Sequence, residues 1–173
     1  MHWNKTFLLV MTGICLMVYS QDNEAFAAET DYTHFFEQAG QTWNIPVPLL
    51  KAIAKTESKF YPWAVNISGK SFYPKTRAEA LTLIHTALAQ KKSFDIGIMQ
   101  LNSWWLNRLK LTPEQILDPE PNILVGAWIL AQELKRYGYH WKAIGSYHTP
   151  VEKNPERARQ YASKVLSGLG GGL

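Results

Sequence analysis

Hydrophobic positions recur with helical spacing along most of this chain. The pattern predicts helices over about 31–43, 46–58, 77–91, 103–110, 123–137, 141–147 and 155–167. In the third of these, Ala80, Leu81, Ile84 and Leu88 fall on one side. Ile123 to Ala131 is apolar nearly all round, as in a helix buried centrally. Start signals agree. Thr76-Arg77-Ala78-Glu79 and Thr112-Pro113-Glu114-Gln115 are capping boxes, in which side chains satisfy amides that a first turn leaves without partners. Asn154-Pro155-Glu156 is a similar start, and Asn122 is the expected cap of the 123–137 helix. Lys135 and Arg136 in its last turn and Gly138 beyond suit the helix dipole and the glycine stop. Residues 64–73 alternate and carry Asn66, Ser68, Gly69 and Ser71, so a short β-hairpin or an extended loop is expected there. The fold class is mainly α, with a small β element near the middle.

The amino-terminal end differs. Met1-His2-Trp3-Asn4-Lys5 leads into an apolar run from Phe7 to Val18, and a polar stretch ends in Ala25-Phe26-Ala27. A basic start, a short apolar middle and an A-x-A site make residues 1–27 a secretory signal peptide. The run has 12 residues, where a membrane span needs about 20. Cys15, the only cysteine, follows Ile14, where a lipoprotein signal needs a small residue. The domain is then 28–166, and the glycine-rich 167–173 is a flexible tail.

Of 173 residues, 46% are hydrophobic and 18% charged, which excludes disorder for the bulk of the chain and suits one domain. Loss of the signal removes Lys5, Asp22 and Glu24 and leaves 17 basic against 12 acidic residues. An exported, mildly basic protein suits an anionic polymer such as cell-wall glycan peptides, or anionic lipid. Scattered lysines without an arginine cluster argue against nucleic acid. His34, His85, His140 and His148 lack ligand spacing, no serine sits in a Gly-flanked elbow, and Rossmann and P-loop patterns are absent.

Three segments carry candidate chemistry. Leu50, Ile53 and Ala54 lie seven, four and three residues before Glu57, which puts this carboxyl on an apolar helix face. Desolvation there would raise its pKa and keep it protonated as a general acid. The same spacing also fits a glutamate paired with Lys51 or Lys55 at a rim. Phe94 to Asn102 contains Gly97, which allows close backbone approach, and the amides of Gln100 and Asn102, suited to hydroxyls and N-acetyl groups. By itself that segment is equally a loop joining two helices. Ala143 to Pro150 places Tyr147 either at a cleft mouth or in the core.

Together these segments resemble the SLT-type lytic transglycosylases, goose-lysozyme-like enzymes that cleave peptidoglycan. Leu49 to Ser58 is similar to the helix ending in that family's catalytic Glu-Ser pair. Gly97-Ile98-Met99-Gln100-Leu101-Asn102 is similar to its G-L-M-Q-[ILV] element. Asn122-Ile123 with Gly126 and Leu130 is similar to its N-I-x-x-G-x-x-x-L helix, and Ala143 to Pro150 to its A-x-x-x-Y-N-x-G-x element. The four occur in family order between about Phe35 and Val165. Asn44 to Pro48 and Trp63 to Asn66 are similar to the small members that serve conjugation, type IV pilus or type III secretion machines.

The resemblance implies an α+β lysozyme-like fold and a periplasmic enzyme. Glu57 would serve as acid and then base, giving 1,6-anhydro-MurNAc ends without metal or organic cofactor. Ser58, Asn66, Met99, Gln100, Asn102 and Tyr147 would contact the substrate, with Asn66 near the Glu57 carboxyl and Met99 lining the groove. Partners would be glycan strands and components of a secretion or pilus machine, with no stable membrane insertion once the signal is cleaved. Hydrolases of glycosides need two carboxylates at set separations, and the motif offers one. A muramidase of the same fold, and a non-catalytic wall-binding scaffold, are the alternatives. Three features depart from the family. His148 replaces the usual asparagine, and the following glycine is missing. Phe35 and Glu120 stand where a disulfide is common. Residues 68–93 are longer than in the shortest relatives.

Overall fold

The computed structural model describes residues 32–169. The signal assigned to 1–27 and the last four residues of the glycine tail lie outside the described residues. Among the described residues, eight helices surround a small sheet in the order α1 (Thr33–Trp43), α2 (Val47–Ser58), β1 (Val65–Ile67), β2 (Lys70–Phe72), α3 (Arg77–Ala89), β3 (Phe94–Ile96), β4 (Leu101–Asn102), α4 (Ser103–Leu109), α5 (Pro113–Ile116), α6 (Pro119–Tyr137), α7 (Trp141–His148) and α8 (Pro155–Ser167).

Local chemistry explains most boundaries. Thr112 and Gln115 form the expected capping box around α5. Asn154 caps α8 by accepting from the Arg157 amide at 3.0 Å. Thr76 caps α3 through the Glu79 amide, while the Glu79 carboxylate reaches back to the Lys75 amide at 2.8 Å. Gly138 stops α6 with a positive φ of 68°.

Three expectations are corrected. The buried side of α3 is drawn by Ala80, Ile84 and Ala87, and Leu88 is exposed. α6 starts four residues before Ile123, because Pro119 and Pro121 fit a first turn whose amides need no intrahelical partner. Asn122 therefore lies inside the helix, fully buried. Its Oδ1 accepts from the Met99 amide at 2.8 Å, and its Nδ2 donates to the carbonyls of Ile96 (3.1 Å) and Ile116 (2.9 Å). Gly97 is required beside it, since a Cβ there would meet Asn122 Nδ2 at 2.2 Å and the backbone φ is +80°.

The 94–102 segment is also more than a loop. β3 and β4 extend the hairpin into a four-stranded antiparallel sheet of order β2-β1-β3-β4. Its register pairs Val65 with Phe72 and Ile96, and Ile96 with Leu101, on one face. Asn66 pairs with Ser71 and Asp95, and Asp95 with Asn102, on the other. One face thus joins the core, and the other carries a row of four polar side chains. α6, with Ile123, Val125, Ala127 and Leu130 buried, is the central helix. α1 packs on it, and the Trp43 indole donates to the Leu124 carbonyl at 3.1 Å. Phe35 lies on α1 and Glu120 on α6, so packing contacts rather than a disulfide join these two elements.

Candidate active site

Glu57 is the next-to-last residue of α2, after Leu50, Ile53 and Ala54, all fully buried. Its side chain keeps only 12% exposure. Burial drives its pKa up from 4.5 to about 7; the Tyr161 hydrogen bond opposes this, the charge of Asp95 adds to it, and Lys164 opposes it. The fold does not show pairing with Lys51 or Lys55 at a rim: the carboxyl is buried, its basic neighbour within 4.0 Å is His148, and the Lys51 ammonium donates instead to Thr33 Oγ1 at 2.6 Å. The Glu57 Oε1 accepts from the Tyr161 hydroxyl at 2.6 Å, and His148 Nδ1 stands 4.0 Å away. Burial beside this carboxyl holds the Tyr161 phenol well above its usual pKa, so it remains a donor.

Glu57 sits in a cavity of about 820 Å³. The polar row of the sheet lines one wall, and Ile129, Glu133 and Arg136, one stripe of α6, line another. Trp104 and Trp105 at the start of α4 add aromatic surface, with Trp104 56% exposed. A second hollow of about 280 Å³ shares Glu57, His148 and Arg157 with the first and adds Thr56, Gln160, Tyr161 and Lys164 from the other side. Glu57 thus borders two hollows, with His148 and Arg157 common to both. Among the described residues no His, Cys, Asp and Glu cluster is arranged to hold a metal ion.

The remaining expected residues divide. Gln100 lines the cavity, but its Nε2 donates to the carbonyls of Ala64 (3.0 Å) and Gly97 (2.9 Å). Only its Oε1 remains to a ligand, as an acceptor. Asn102 also lines the cavity; its Nδ2 donates to Asp95 at 2.7 Å and its Oδ1 caps α4 through the Trp104 amide. Tyr147 is half-buried at the cavity, with its hydroxyl donated to the Met99 carbonyl at 2.8 Å. Asn66 reaches the cavity, but its amide closes the hairpin through Ser71 Oγ and the Gly69 amide rather than holding Glu57. Ser58 and Met99 are corrected. Ser58 is buried and ties α2 to the Ile98 carbonyl at 2.7 Å. The Met99 side chain is fully buried against Gly126, where a Cβ would meet it at 2.8 Å and Tyr147 Oη at 3.0 Å. Both hold the loop that carries Gln100.

Sequence reasoning missed Tyr161. Its neighbours Ala158, Ala162 and Val165 mark a buried stripe of α8, and nothing local distinguishes a core ring from a partner of a residue 104 positions away. Asp95, which none of the family motifs assigns, lies on the cavity wall, where burial raises its pKa against the Asn102 hydrogen bond.

A carboxyl that burial keeps protonated to about pH 7, in a cavity lined by polar and aromatic side chains, fits a glycan-cleaving enzyme of mainly α, lysozyme-like fold. The transglycosylase SLT domain model matches residues 34–165. The chain belongs to this family, whose members are lytic transglycosylases acting on peptidoglycan. It is 33% identical over 133 residues to the invasion protein IagB of Salmonella typhimurium, covering 74% of this chain and 70% of that protein. It is 32% identical over 136 residues to protein IpgF of Shigella sonnei, covering 75% of each. To X polypeptide of Escherichia coli it is 30% identical over 162 residues, covering 90% of this chain and 79% of that one. Among the described residues no helix is long and apolar enough to cross a membrane.

Proposed function

We propose that the protein is exported to the periplasm and cuts the β-1,4 bond between MurNAc and GlcNAc, leaving 1,6-anhydro-MurNAc ends. The observation that carries this reading is Glu57, whose carboxyl keeps its proton up to about pH 7 at a cavity of about 820 Å³, with a second hollow against the same residue. The Tyr161 hydroxyl occupies Oε1, so the acid proton sits on Oε2. Oε2 gives that proton to the glycosidic oxygen as the bond to C1 breaks. The sugar passes through an oxocarbenium-like state, which its own N-acetyl oxygen stabilises. Ionised Glu57 then takes the proton of the C6 hydroxyl while that oxygen bonds to C1. The proton returns to Glu57, the ring closes, and no water is consumed. Gln100 Oε1 accepts an acetamido N–H, and Tyr147 keeps the loop of Gln100 in place through the Met99 carbonyl.

The cut opens the wall locally for an envelope-spanning secretion, conjugation or pilus machine. Support comes from the segments similar to that subgroup and from a relative named as an invasion protein. A muramidase outcome is the second reading, favoured by one observation: Asp95 lines the same cavity and its charge acts on Glu57. Mass spectrometry of digested peptidoglycan decides between them. Anhydro ends are expected; reducing ends would replace the lyase by a hydrolase, and an intact polymer would defeat both.

A further inference from the structure

His148 closes α7 and enters the cleft beside Glu57. Its Nε2 lies 3.4 Å from Arg157 Nη2. A guanidinium has donors only, so Nε2 must accept. Burial, then the cations Arg157 and Lys164, hold the imidazole pKa below its usual 6.5, so the ring is neutral at pH 7. A neutral ring carries one proton, and with Nε2 accepting it resides on Nδ1. That atom faces Glu57 Oε1 at 4.0 Å. The ring plane is held by stacking on Tyr161, with centroids 4.8 Å apart and planes 8° from parallel.

We infer that His148 is a positioning residue whose Nδ1–H becomes the second donor to the Glu57 carboxylate once Glu57 has given up its proton. This rests on the assignment of Glu57 as the acid. In the resting state Oε1 takes only the Tyr161 hydroxyl, and 4.0 Å is too long for a hydrogen bond. An approach of about 1 Å makes one. The pull for that approach arises on ionisation, when negative charge spreads onto Oε1. The contact therefore strengthens as the proton leaves, which is what lowers a barrier rather than merely tightening binding.

Titratable and charged groups face this pair from each neighbouring element. Asp95 on β3 opposes the ionised carboxylate and Lys164 on α8 favours it. Tyr147 on α7 and Tyr161 on α8 stay neutral, their pKa values pushed well up by burial and by Glu57. Arg157 on α8 fixes the tautomer.

The test uses the ¹⁵N-labelled protein at pH 7 to 8, where long-range ¹H–¹⁵N spectra report which ring nitrogen holds the proton. The Nδ1–H form is expected for His148, with a shift toward Nε2–H in Arg157→Met. A predominant Nε2–H form in the wild type would overturn the inference. On peptidoglycan, His148→Phe keeps the stacked ring and removes the donor. Its kcat should fall about tenfold or more with KM little changed. The alkaline limb of its pH–rate profile should move up, because the carboxylate has lost a stabilising partner. His148→Asn, which restores an N–H, should recover most of the rate. Wild-type kcat and an unmoved limb in His148→Phe would overturn the inference. A wild type that leaves peptidoglycan intact defeats the proposed function and the positioning role of His148 with it, while the tautomer is read without any turnover.

Discussion

Replacing Glu57 by glutamine should stabilise the protein while abolishing its activity, and the stabilisation should depend on pH. The carboxyl goes from 4.5 in the unfolded chain to about 7 in the fold. The folded state thus binds this proton more tightly, so its contribution is fully present below about pH 4.5 and is lost as pH rises through about 7. Above that window the buried charge costs about 3 kcal/mol, at about 1.4 kcal/mol per tenfold change in proton affinity. Glutamine has no proton to lose, and its Oε1 still accepts from Tyr161. The variant should match wild-type stability within about 0.5 kcal/mol at pH 4 and exceed it by about 3 kcal/mol at pH 8. For a domain of this size that is a melting-temperature difference on the order of 10 °C at the higher pH. Turnover should fall by at least the 10²–10⁴-fold typical of a general acid–base group. Melting curves of both proteins at pH 4 and pH 8 are the assay. An equal melting-temperature difference at the two pH values would mean that Glu57 titrates like any surface glutamate, and the acid assigned to it would lose its physical basis.

Two further outcomes follow from named contacts. Tyr161→Phe removes the hydroxyl that holds Glu57 Oε1 at 2.6 Å. A hydrogen bond to a charged group is worth about 1.5–3 kcal/mol, so Glu57 should titrate at least about one pH unit higher; an alkaline limb that stays in place would refute the pairing. Asn122→Ala strands the Met99 amide and the carbonyls of Ile96 and Ile116. At about 1–3 kcal/mol for each buried group left unpaired, the loss should exceed about 3 kcal/mol in urea unfolding; a loss under about 1 kcal/mol would contradict the geometry.

The helices were legible because their signals are local. Thr112, Asn154 and Gly138 act within a turn of where they stand in the sequence, and apolar spacing names the buried face. The hairpin was legible through Asn66 and Gly69. β3 and β4 were not, since strands of three and two residues are too short for a period to show. Asn122 misled because the capping preference of asparagine is a local rule, and here its amide answers three distant backbone groups. Glu57 was placed on its face by spacing, yet its pairing hung on where Lys51 points, which is a matter of how α2 meets α1. Tyr161 and the neighbourhood of His148 depend on the docking of α8 against α2, which no local pattern encodes. The motif resemblance grouped Ser58 and Met99 with residues that can touch a ligand. In the fold they hold the loop from behind, and a motif cannot separate the two duties.

The placement of Asn122 makes acid strength a product of tertiary assembly. Its amide draws together the end of α5, the end of β3 and the Gly97–Gln100 loop, and the same loop accepts Ser58 from α2 and Tyr147 from α7. Until that junction closes, the end of α2 faces water, and a glutamate in water is ionised at neutral pH. A half-assembled chain would thus carry every residue of the site and still lack a proton to give. The acid is therefore a property of the assembled fold rather than of α2 alone, and a chain without that assembly carries the motif but not the raised proton affinity.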